Sequence, residues 1–66
     1  MTTNELASLL EKAIRTRKYP SGVQLPSEET LAREHSVSTR IVREALAQLV
    51  GKKLIEKRRG VRATVK

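Results

Sequence analysis

The sequence predicts a mainly α-helical domain, three helices followed by a small C-terminal β-hairpin. Three observations carry that prediction. Apolar residues recur at helical spacing in three separate windows. A serine or threonine stands before each window, where a helix cap belongs. The last dozen residues change to short β-prone runs around an Arg-Gly pair.

The first helix is predicted from about residue 3 to 18. Leu6, Leu9, Leu10, Ala13 and Ile14 supply its apolar spacing, and Thr2 with Glu5 forms a capping box. Arg15, Arg17 and Lys18 suit the negative end of its dipole, and Pro20 stops it. The connector YPSGVQLP follows, with two prolines and a glycine. Within it Val23 and Leu25 alternate with Gln24, which allows a very short strand able to pair with a later hairpin.

Ser27 caps the second helix, predicted at 28–35, and Glu28 and Glu29 face the positive end of its dipole. Leu31 and Ala32 point inward. Ser36-Val37-Ser38 is a tight connection, with Val37 as an apolar plug and Ser38 as the next cap. The third helix, 39–50, places Val42, Ala45, Leu46, Leu49 and Val50 on one face. Arg40, Arg43, Glu44 and Ala47 take the opposite face, and Gly51 is expected to close the helix in a left-handed conformation. Leu54 to Val65 forms the hairpin, turning at Arg59-Gly60. A lone hairpin is marginal in water, so its apolar side must lie on the helices.

These 66 residues suffice for one small domain with a thin core. There is no cysteine, hence no disulfide and no thiolate metal site. No apolar run approaches the ~20 residues of a membrane span, and the N-terminus lacks the basic region of a signal peptide. A soluble, cytoplasmic protein is the expectation. The single aromatic, Tyr19, argues against single-strand binders, which stack bases on exposed rings.

Charge is the most informative bulk property. The net charge is +7, and residues 33–66 carry all of it. The first 32 residues balance four cations against four glutamates. So one-sided a distribution points to a basic face for a polyanion.

Two short helices joined by a tight turn, the second capped by serine and opening with polar residues, form the layout of a helix-turn-helix. The second helix of such a unit enters the major groove of DNA with its first residues at the base edges. Thr39, Arg40 and Arg43 suit that task, since arginine donates two hydrogen bonds to guanine O6 and N7. The capped helix N-terminus suits a phosphate. The basic hairpin, with Lys57, Arg58, Arg59 and Arg62, would be a wing lying along phosphates or entering the minor groove. The predicted architecture is therefore a winged helix-turn-helix over residues 1–66.

The residues also resemble a family. LPSEETLAREHSVSTRIVREALAQLVGKKLIEKRRG is similar to the N-terminal DNA-binding domain of the GntR family of bacterial transcription regulators. The motif pieces are Leu25-Pro26-Ser27-Glu28, Leu31-Ala32, Val37-Ser38, Val42-Arg43-Glu44-Ala45-Leu46, Leu49 and Gly60. The resemblance implies binding to a palindromic operator as a two-fold dimer, usually for repression. It puts base reading on Ser38, Thr39, Arg40, Ile41 and Arg43. Ser27, Glu28 and Glu29 fall near the backbone, and Arg59 and Gly60 on the wing. The family usually has Arg-Thr-Thr where this chain has Thr39-Arg40-Ile41, which moves the arginine by ~100° around the helix. Ile41 could then meet a thymine methyl. The family's wing usually reads Gly-x-Gly-Thr, and Arg62 stands here at the second glycine.

Family members normally carry a C-terminal effector-binding and dimerising domain, which these residues do not include. No small-molecule effector and no cofactor is expected of them, and at most a weak homodimer that pairs on DNA. The alternative reading is a protein-binding adapter. It requires an exposed apolar patch, whereas the pattern assigns every apolar side chain but Val61 to the core. An enzyme is disfavoured. His35 is the only histidine and suits a helix C-terminus, Glu28-Glu29 reads as helix-start electrostatics, and no glycine-rich phosphate loop is present.

Overall fold

The computed structural model describes all residues from Met1 to Lys66. It contains α1 (Thr3–Arg15), α2 (Glu28–His35), α3 (Thr39–Gly51), β1 (Ile55–Glu56) and β2 (Thr64–Val65). The helix α3 is the centre of the molecule, with α1 and α2 packed on it and β1 against its far end. The expected three helices and hairpin are all present.

Each helix starts where its cap predicts. Thr2 accepts from the Glu5 backbone N–H while Glu5 accepts from the Thr2 N–H, completing the capping box. Ser27 accepts from Thr30 N–H at 3.2 Å and Ser38 from Ile41 N–H at 3.2 Å.

The helix ends differ from expectation. The first helix stops at Arg15, three residues early, and Gly51 lies within α3 rather than beyond it. All three helices close in one way. A backbone N–H reaches the carbonyl five residues back: Lys18 to Ala13, Val37 to Ala32 and Leu54 to Leu49, at 2.9, 3.0 and 3.0 Å. The residue just before each donor is left-handed: Arg17 at φ 64°, Ser36 at 55° and Lys53 at 61°. This is the Schellman closure; after α2 and α3 the donor is an apolar residue, Val37 or Leu54, that packs against the core, whereas after α1 it is Lys18. In α3 the left-handed position is therefore Lys53, the residue before Leu54.

The two strands are antiparallel, with Ile55 opposite Val65 and Glu56 opposite Thr64. They are shorter than the 54–65 hairpin predicted, because residues 57–63 form a wide loop around Gly60 at φ 76°. The connector does supply a third partner. Gln24 bridges Thr64, and Leu25 N–H donates to Ala63 O at 2.8 Å. Thr64 is thus flanked on both sides, so the hairpin is anchored rather than free.

The core consists of Leu6, Ala7, Leu10, Leu25, Leu31, Ala32, Val42, Ala45, Leu46, Leu49, Ile55, Ala63 and Val65. Two apolar assignments are corrected. Leu9 is 45% exposed, because the buried stripe of α1 runs through Leu6, Ala7 and Leu10 and leaves Leu9 about 100° to one side. Val50 is 40% exposed, because it sits on the edge of α3 that faces the loop of the hairpin. With Val23 at 41%, more apolar surface is open than Val61 alone.

Candidate nucleic-acid interface

The cap of Ser38 fixes where α3 begins, and with it the side chains of the first turn. Thr39 and Arg40 are exposed there. The Arg40 side chain is 85% exposed, restrained only by its own-helix neighbour Glu44 at 3.5 Å. An exposed pair of this kind contributes little, so the guanidinium remains available. Glu44 is itself held by the Thr3 hydroxyl, which donates at 2.9 Å. That draws the carboxylate toward α1.

Ile41 is less open than its neighbours Thr39 and Arg40. It is half-buried and packed against the core. Helical geometry puts it on the α1 flank of α3, about 100° from Arg40. Its apolar surface is largely spent inside the domain.

Arg43 points the other way, toward α2. Its Nε–H and Nη2–H both donate to Glu28 Oε1 at 3.4 Å. The other oxygen of Glu28 accepts from Lys57 Nζ at 2.7 Å. Thus one carboxylate in the first turn of α2 joins the recognition-helix position to the wing. Lys57 and Arg43 together hold the Glu28 carboxyl below the usual carboxylate range, Lys57 having the larger effect. Spacing in the sequence could not reveal this cluster, since Lys57 lies 29 residues from Glu28.

The other wing cations divide by partner. Arg58 pairs with Glu56 at 3.1 Å, within the hairpin. Arg62 donates to the Gln24 side chain at 3.1 Å, across the connector. Arg62 therefore braces the sheet at the place where a glycine was expected. Arg59, at the exposed turn with Gly60, makes no ion pair. Val61 N–H closes that turn onto Arg58 O at 3.1 Å, and a left-handed Gly60 makes the turn possible.

Ser27 serves as a cap and also donates to the Thr30 hydroxyl at 2.9 Å, while Glu29 is exposed. Between the start of α2, the back half of α3 and the wing lies an open cleft. Glu28, Ala47, Val50, Lys57 and Val61 are among its walls. The sequence reading missed Val50 in this place; its position at the rim of the apolar arc was the available signal.

The geometry is thus a capped helix presenting Arg40, a neighbouring Arg43 and a basic loop beside them. Comparison with known proteins places this arrangement. The family model described as "Bacterial regulatory proteins, gntR family" matches residues 2–65. The chain belongs to the GntR family. It is 46% identical over 56 residues to the HTH-type transcriptional repressor NanR of Escherichia coli K12, a match covering 85% of this chain and 21% of that protein. The chain thus spans about a fifth of the length of the curated relatives it matches. Among solved structures, Streptococcus agalactiae GntR superposes with a TM-score of 0.86 at 31% identity, over 97% of this chain and 31% of that one. The AraR DNA-binding domain in complex with operator ORE1 gives a TM-score of 0.92 at 22% identity, over 97% and 78% of the two chains. That last likeness establishes the winged-helix fold. No helix of this GntR-family chain is long and apolar enough to cross a membrane.

Proposed function

We propose that this chain binds double-stranded DNA in a sequence-specific manner, as the operator-reading domain of a bacterial transcription regulator acting in the cytoplasm on the nucleoid. The observation that carries the reading is the placement of Arg40. It stands at the capped start of α3, 85% exposed, beside Arg43 and the basic wing. Thr39, Arg40 and Arg43 read base edges in the major groove, where an arginine can grip guanine O6 and N7 together. Ser38 and the α3 N-terminus meet a backbone phosphate. On the wing, Arg59 and Gly60 approach the minor groove while Arg58 and Arg62 run beside phosphates.

Repression is the sign of regulation favoured by the NanR likeness. The operator is a palindrome on which two copies pair, since two-fold symmetry in the protein is mirrored in the site. A domain this small has little surface for a stable dimer off DNA. Any small-molecule effector acts through residues outside these 66.

Selection from a randomised duplex pool tests the reading, with the enriched site retested by fluorescence anisotropy across a salt series. The expected outcome is an enriched palindrome that beats scrambled duplex by ~10³-fold or more. A steep salt slope with no enriched sequence would overturn operator reading.

A further inference from the structure

The Glu28 bridge is not explained by DNA binding as such. A carboxylate among cations that face phosphates opposes binding to any duplex, yet here it sits between two of them. We propose that Glu28 is a specificity-determining positioning residue: it fixes Arg43 and the wing relative to one another, and so lowers affinity for DNA of arbitrary sequence in favour of the operator. This rests on the operator-reading function above.

The geometry of the guanidinium supports the proposal. Arginine has five N–H donors in a planar fork. Glu28 engages the side edge, through Nε and Nη2. The end edge, formed by Nη1 and the outer Nη2 hydrogen, is left for a guanine, which needs two parallel donors. Arg43 meets Oε1 at 3.4 Å with its side chain 65% exposed, so the contact biases the fork toward a bidentate grip without locking it. Released, the same side chain has several rotamers and could meet any phosphate in reach.

The wing receives the same treatment. Lys57 Nζ is held at 2.7 Å by Oε2 and is only 37% exposed. Its charge is already compensated, so it adds little to sequence-independent attraction. The carboxylate is rooted in the first turn of α2, one residue after the Ser27 cap. That root does not move with the wing. The single group thus sets the reach of the wing against α3, and with it the spacing between the two grooves each part would enter.

The test uses the 66-residue chain, the duplex that it enriches from a randomised pool, and a scrambled duplex of equal length. Anisotropy titrations over a salt series compare the parent with Glu28→Gln and Glu28→Asp, each checked for folding by thermal melting. With Glu28→Gln, the scrambled duplex should bind at least threefold tighter and the specificity ratio should fall about tenfold or more. Its salt slope should steepen by about one, as one cation is released to a phosphate. With Glu28→Asp, the charge stays but the shorter arm cannot span both cations, so the ratio should fall while scrambled affinity stays near the parent. If both variants keep the parent's ratio, Glu28 is surface charge and the proposal fails. If Glu28→Gln loses the ratio but Glu28→Asp keeps it, charge alone matters and positioning is overturned. If the parent itself enriches no sequence, operator reading fails first and the proposal falls with it.

Discussion

The two flanks of α3 are joined to the rest of the domain by different means. On the α1 flank the contact is closed and apolar, with Leu6, Ala7 and Leu10 buried. Its polar ties are peripheral: Gln48 to Asn4 at 2.8 Å, Thr3 to Glu44 at 2.9 Å and Lys52 to Glu11 at 2.9 Å. On the wing flank the strands also pack into the core, through Ile55, Ala63 and Val65, but the loop between them lies over an open cleft, Val50 is exposed, and that loop is tied to α2 and α3 by Glu28 with its two cations. The first joint is made of surface removed from water, which salt hardly affects. The second is made of charges that phosphates compete for. A domain that must stay folded and also offer cations to a polyanion benefits from keeping these joints apart.

The sharpest way to break the comparison is to truncate one apolar side chain on each flank to alanine. Leu10→Ala removes a side chain that is 1% exposed and should cost about 2–5 kcal/mol. A chain of this length has roughly 3–10 kcal/mol in total, so the variant should lose a large fraction of its stability. Val50→Ala, on the open flank, should stay within about 0.5 kcal/mol of the parent. Urea denaturation followed by circular dichroism measures both. Similar losses would mean that the wing flank is packed as tightly as the α1 flank.

Next in size are the effects on DNA. Arg40→Ala and Arg43→Ala should each cost about 1–3 kcal/mol on the selected duplex and relax specificity at one base pair. Gln48→Ala, on the α1 flank of the same helix, should leave binding unchanged. Titration of each variant against single-base variants of the site resolves the positions read. Loss on Gln48→Ala with none on Arg40→Ala would reverse the assignment of the two flanks.

How much of this was legible in the sequence depends on the range of the interaction. Helix starts were legible because capping is local: Thr2, Ser27 and Ser38 each bond a backbone N–H three residues on. The pairing of the connector with the hairpin was legible from the alternation of Val23, Gln24 and Leu25. Helix ends were not, because tertiary burial of Leu54 against the core decides where α3 turns, and that outweighs the preference of Gly51. The exposure of Arg40 followed from the helical wheel. The partial burial of Ile41 and the convergence of Arg43, Glu28 and Lys57 required three elements to be placed in space, which no spacing rule encodes.

Acid should separate the flanks more gently. The carboxyls of Glu28 and Glu11 are both held below the ordinary glutamate value of 4.5, Glu28 chiefly by Lys57 and Glu11 chiefly by Lys52. Glu5 is lowered by its capping bonds with Thr2. A depressed folded-state value means that the unfolded chain takes up protons first as pH falls. The stabilisation is therefore complete above about pH 4.5 and is lost as pH drops through the folded-state values. Thermal melts from pH 7 to pH 3 should show a plateau and then a decline. Amide exchange should rise first in the loop of residues 57–62, whose tie to the helices is ionic, and last in the strands, which Ile55, Ala63 and Val65 hold in the core. A melting point that is flat down to pH 3 would show that these pairs add nothing to stability.

The smallest effect concerns the hinge where the two regions meet. Lys53 joins α3 to β1 at φ 61°, a left-handed conformation that costs an L-residue with a Cβ about 1–2 kcal/mol. Glycine avoids that cost but carries more chain entropy into the unfolded state, about 0.5–1 kcal/mol. Lys53→Gly should therefore stabilise the fold by about 0.5–1 kcal/mol, seen as a rise in the urea midpoint with an unchanged slope. Lys53→Ala retains the Cβ and should gain nothing. The two substitutions remove the same charge, so their difference isolates backbone strain from electrostatics. Equal midpoints would mean that Leu54 does not hold Lys53 in the left-handed region, and that the turn relaxes independently of the core.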